Sequence, residues 1–108
     1  MGRMVSLQAI QELASRIARE FDPNRVILFG SHAQGSATAD SDVDLLVVMD
    51  FEGKPFWKSL EILNRMNPPF AVDLLARLPD DTLRRYELGD PLIRDALDHG
   101  KVLYERGR

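Results

Sequence analysis

The chain has 108 residues, 44% of them hydrophobic and 29% charged, which suits one compact domain over residues 1–108 and excludes a disordered chain. Fourteen Lys and Arg against 17 Asp and Glu give a formal charge of −3, so there is no global basic field for a nucleic-acid backbone, and direct nucleic-acid binding is not expected. With no cysteine there is no disulfide, thiolate nucleophile or Cys-ligated zinc. No apolar run approaches the roughly 20 residues that span a bilayer, and the N-terminus lacks a signal-peptide pattern, so a soluble cytoplasmic protein is expected.

Leu7, Ile10, Leu13, Ala14, Ile17 and Phe21 recur at helical spacing behind Ser6, a candidate N-cap, and Asp22-Pro23 ends that helix. Val26 to Phe29 is short, continuous and apolar, the pattern of a strand covered on both faces, and it breaks at Gly30-Ser31. Residues 31–41 read as a small polar loop, and Asp42 to Met49 as a second buried strand. Gly53 to Pro55 is a turn, followed by a helix with Phe56, Leu60 and Leu63 that must stop before Asn67-Pro68-Pro69. Phe70 to Leu78 is a third strand candidate, residues 80–88 and 91–99 are short helices, the second with Asp90 as N-cap and Pro91 at its first position, and Lys101 to Glu105 closes the chain as a strand. The fold class is therefore α/β (α+β): one sheet of about four strands with helices packed on it, its strand directions unreadable from the pattern.

The chemistry concentrates on three aspartates set in hydrocarbon. Asp42 and Asp44 open the second strand, and alternation turns both to one face with Val43 on the other. Two carboxylates so close repel and resist ionisation unless a cation lies between them, and a hard divalent ion such as Mg²⁺ suits an oxygen-only set whose remaining positions go to water and phosphate. Asp73 interrupts the third strand and joins the pair if that strand lies beside the second. A turn-forming or surface role is the alternative for each aspartate alone, and it prevails for Asp50, Asp80, Asp81 and Asp90. Gly30-Ser31 follows a buried strand, where a glycine permits a sharp bend and a serine offers a hydroxyl and amides to phosphate. There is no P-loop, no dinucleotide fingerprint and no nucleophile elbow.

The segment LFGSHAQGSATADSDVDLLVV, with Asp73 downstream and the ending DPLIRDALDHGKVLYER, resembles the minimal nucleotidyltransferase (MNT) domain proteins of the DNA polymerase β-like nucleotidyltransferase superfamily. The resemblance implies a mixed, twisted sheet with helices on one side. It implies that Gly30 and Ser31 contact a triphosphate, and that Asp42, Asp44 and Asp73 are the catalytic and metal-binding residues. It also implies ATP as substrate, two Mg²⁺ ions, and a small helical HEPN toxin as partner, to which the chain acts as antitoxin by transferring AMP to a tyrosine hydroxyl. Relatives often carry arginines where this chain has His32 and Gln34, and Arg25, Lys54 and Arg77 are candidate substitutes; His32 is otherwise an exposed loop histidine.

The alternative is a non-catalytic nucleotide-binding antitoxin that masks its partner's surface, for which Phe51, Phe56 and Trp57 are candidate contacts if they are not core. A transferase for a small molecule lacks residues to wall an acceptor pocket, so another protein is expected to supply the acceptor, in a homo- or hetero-oligomer.

Overall fold

A computed structural model describes residues 4–107. Helix α1 (Leu7–Phe21) starts where Ser6 Oγ accepts the Ala9 amide at 3.0 Å and ends at Asp22, whose φ of 47° reverses the chain before Pro23. Its buried stripe, Ile10, Leu13, Ala14 and Ile17, is the 3- and 4-residue repeat visible in the sequence. Strand β1 (Arg25–Phe29) leads through Gly30 into a single turn of helix, α2 (Ser31–Gln34), and strand β2 (Val43–Val48) follows the polar loop. Helix α3 (Pro55–Met66), strand β3 (Val72–Arg77), helices α4 (Pro79–Glu87) and α5 (Pro91–His99) and strand β4 (Lys101–Glu105) complete the chain. Asp90 caps α5 by accepting the Leu92 and Ile93 amides.

The four strands form one sheet in the order β3-β2-β1-β4. β1 is antiparallel to both neighbours, and β2 runs parallel to β3, the direction that a crossover through α3 permits. β1 and β2 are interior strands, and both are apolar on both faces. On one face Val26, Leu28, Val43, Leu45 and Val47 pack under α1 and α3. On the other, Ile27, Phe29, Leu46 and Val48 pack against Ile93 and Ala96 of α5. The expectation of helices on one side is thus corrected: both faces of two such hydrophobic strands need cover, and α5 supplies the second. No helix among the described residues is long and apolar enough to cross a membrane.

Candidate active site

The polar residues gather where β1 ends and β2 begins. In the sheet register Asp44 lies opposite Phe29 of β1 and opposite Asp73 of β3, so Asp44 and Asp73 are direct cross-strand neighbours on adjacent parallel strands, on the face that α5 covers further along. Asp42 stands just outside β2, two residues ahead of Asp44, and is exposed, as is Asp73; Asp44 is half-buried. Burial raises the Asp44 carboxyl above its usual value of 3.8, the charges of Asp73 and then Asp42 raise it further, and His32 opposes them. Both other carboxylates therefore act on Asp44.

Gly30 makes this crowding possible. Its φ of 74° and ψ of −154° lie where only glycine is comfortable, and a methyl built on its Cα would overlap Oδ2 of Asp44. The bend after β1 is thus wrapped directly around the second-strand carboxylate. Ser31 begins α2, whose Ala33 and Gln34 amides return to the Gly30 carbonyl, and Gly35, with φ of 79°, ends the turn.

His32 is not the exposed loop histidine allowed for by the sequence. Only 7% of its surface is accessible, and its Nε2 lies 3.2 Å from the Ser41 carbonyl. A carbonyl can only accept, so Nε2 carries the proton. Ser41 in turn closes the loop: its Oγ accepts the Thr38 amide at 2.9 Å, and its own amide donates to the Thr38 carbonyl. The residue immediately before Asp42 is thereby tied to α2. The polar segment called a loop from 31 to 41 is a helical turn followed by a cross-braced loop, a distinction that four small and polar residues do not signal.

Arg25 and Arg77 do not reach the carboxylates through the sheet. Both are register partners of Val48, four residues from Asp44, about 13 Å away along the strands. Lys54 is the exposed residue before α3. Among the described residues, His32 is the cation-capable side chain that opposes the raising of Asp44. Asp95 of α5 was not signalled by the sequence: it accepts from Gln34 Nε2 at 3.2 Å, lies 3.6 Å from His99 Nδ1, and adds weakly to the field at Asp44. A lone aspartate on an amphipathic helix carries no local mark of such a position.

The donor set is oxygen-only and self-repelling, which a hard divalent cation relieves. Among the described residues no group of three or more His, Cys, Asp or Glu closes around a metal point. Asp42, Asp44 and Asp73 could serve only as a partial, open set of oxygen donors, one that a hard divalent ion would complete with water and phosphate.

A groove of about 380 Å³ runs from Asp73 along the outer edge of β3 beneath α3, lined by Phe56, Leu60, Leu63 and Val72, with Arg77 at its far end. Phe56 and Trp57 stack edge to face at 5.0 Å and are 65% and 62% exposed, whereas Phe51 packs on the core.

A family model for the nucleotidyltransferase domain matches residues 10–103. A Methanocaldococcus jannaschii protein named for protein adenylyltransferase activity is 27% identical over 99 residues, covering 90% of this chain and 96% of that protein. Among solved structures, a Sulfolobus solfataricus protein named as a nucleotidyltransferase superposes with a TM-score of 0.67 at 22% identity, over 94% of this chain and 82% of the other. Two toxin–antitoxin structures share the fold, one with AMP-PNP (TM-score 0.58, 20% identity) and one a MntA-HpeT mutant (TM-score 0.56, 17% identity), each over 90% of this chain and 74% of theirs.

Proposed function

The chain belongs to the nucleotidyltransferase domain family, and on that premise we propose that it transfers AMP from ATP to a hydroxyl group of a partner polypeptide, restraining a toxin by modifying it. The observation that carries this reading is the register pair Asp44 and Asp73 beside the Gly30 bend, with Asp42 two residues away. In it, Asp42 and Asp44 hold Mg²⁺, Asp73 completes the carboxylate set, and Gly30 and Ser31 contact the triphosphate. When bound, the metal neutralises charge on the phosphates and lowers the barrier to attack.

The acceptor oxygen forms a bond to the α-phosphorus, the bond from that phosphorus to the bridging oxygen of the β-phosphate breaks, and pyrophosphate leaves. Asp73, exposed at the site's open side, takes the proton of the acceptor hydroxyl. No covalent enzyme intermediate is needed; the chain positions the two substrates and gathers charge. The similarity to a protein named for protein adenylyltransferase activity supports a polypeptide acceptor, and the fold shared with toxin–antitoxin structures supports a toxin as that polypeptide, in our reading a small helical HEPN protein modified on a tyrosine.

The test is labelled ATP with Mg²⁺ and the candidate partner. Transfer of labelled AMP that is lost in Asp42→Asn with Asp44→Asn supports the proposal; absent transfer, or transfer that survives both substitutions, sinks it. The exposed Phe56 and Trp57 favour a second reading in which the chain masks its partner by contact alone. Full inhibition of the partner by the Asp42 and Asp44 double variant without ATP would establish that reading instead.

A further inference from the structure

β3 is an edge strand: β2 lies on one side and, among the described residues, no strand of the sheet on the other. Its Ala71 and Arg77 carbonyls accept from Val43 and Met49. In a parallel strand, alternate residues turn both amide and carbonyl to the same side, so Val72, Leu74 and Ala76 turn theirs to the outer edge. There Ser59 of α3 closes the distal end: its Oγ accepts the Ala76 amide at 2.9 Å while its hydroxyl donates to the Pro55 carbonyl at 2.7 Å. The half of the edge left beyond Ser59, at Val72 and Leu74, is the half that flanks Asp73.

From this half-open edge we propose that the acceptor enters as an extended polypeptide segment that pairs with β3 as an added strand, its hydroxyl residue opposite Asp73 and apolar residues on either side of it. The inference rests on the polypeptide-acceptor reading above. Side-chain alternation gives the recognition rule. A residue opposite Asp73 projects on the same face as Asp73 and so delivers its hydroxyl to the carboxylates. Its two neighbours project on the opposite face, beneath α3, where Phe56 and Leu60 are exposed in the groove. Arg77, four residues along from Asp73, turns its Nη1 onto the outward Ala76 carbonyl at 2.9 Å and so joins Ser59 in closing that end of the edge. The acceptor is thus an apolar-hydroxyl-apolar segment, not a folded surface read as a whole.

The probes are two fluorescein-labelled peptides with a central tyrosine, one flanked by leucines and one by lysines. Both are measured against the full chain by anisotropy and as acceptors of labelled AMP. The leucine peptide is expected to bind at least tenfold more tightly. Val72→Pro, which removes an outward amide at the first residue of an edge strand, and Phe56→Glu, at an exposed position, should each weaken it at least tenfold while ATP affinity is retained. Equal binding of the two peptides, no binding of either, or binding indifferent to both substitutions overturns the proposal. Binding that follows this pattern without AMP transfer supports the docking edge and refutes the transferase reading; transfer to a polypeptide whose KM ignores both substitutions does the reverse.

Discussion

Gly30 and Asp44 share one space: the carboxylate Oδ2 occupies the volume that a side chain at position 30 would fill. The glycine is therefore held by two independent constraints, a positive φ and a contact across the β1–β2 junction. Gly30→Ala should lose about 1–3 kcal/mol from backbone strain alone and more from displacement of Asp44. The loss is read as a lower urea midpoint with unchanged slope, and Mg²⁺-dependent nucleotide binding should fall with it; an unaltered midpoint would mean that Asp44 turns away freely.

Asp44 ionises against burial and against Asp73 and Asp42. A carboxyl whose folded value is raised binds its proton more tightly in the native state, so its contribution favours folding below the usual 3.8 and fades as pH climbs through the raised value. At neutral pH the charged cluster therefore costs stability. Asp44→Asn should melt higher than the parent at pH 7 without metal and show little advantage below pH 3.8. Added Mg²⁺ should raise the melting temperature of the parent more than that of the variant. Thermal melts across pH with and without MgCl₂ check both signs.

His32 holds the loop that ends at Asp42 through the Ser41 carbonyl. His32→Ala removes a buried donor and should cost about 1–3 kcal/mol. Amide exchange should accelerate across residues 36–42 while α1 and α3 keep their protection, which distinguishes a loosened loop from general unfolding. Exchange unchanged in that segment would show that the Thr38 and Ser41 braces hold it alone.

Ser59 serves two backbone groups at once, Pro55 and Ala76. Ser59→Ala leaves a buried amide without its acceptor and should destabilise by about 1–3 kcal/mol in urea titration. It also frees more of the β3 edge, so self-association should increase with concentration in sedimentation measurements.

Gly100 tells a different story from Gly30. Its φ is an ordinary −77°, yet a methyl there would lie 2.7 Å from Ile27 Cγ2 and 2.8 Å from the Leu28 carbonyl, as well as against Ala96 O. Gly100→Ala should separate α5 from β1 and lower the melting temperature by several degrees, at about 4–8 °C per kcal/mol for a domain near this size. An unshifted melt would refute that contact.

Much of this was legible in the residues. The α1 stripe, the Ser6 and Asp90 caps and the four strands follow from periodicity and turn chemistry that the tertiary structure does not override. Continuous apolar β1 and β2 announced cover on both faces, and α5 provides it, where the family resemblance implied helices on one side. Asp44 and Asp73 stood out because a charge inside a hydrocarbon strand needs a reason. What stayed hidden depended on partners distant in sequence. The parallel register and the approach of Asp95 through Gln34 are long-range placements with no local signature, and the burial of His32 depends on how the loop to Ser41 folds back. The short α2 turn escaped because four residues are too few to show a period.

A border strand stoppered at one end has consequences for crowding. With Ser59 plugging the Ala76 amide, two copies cannot zip along the full length of their β3 rims, so pairing there stays short. A hydroxyl and a guanidinium, Ser59 and Arg77, thus shut one end of that margin and leave the other bare.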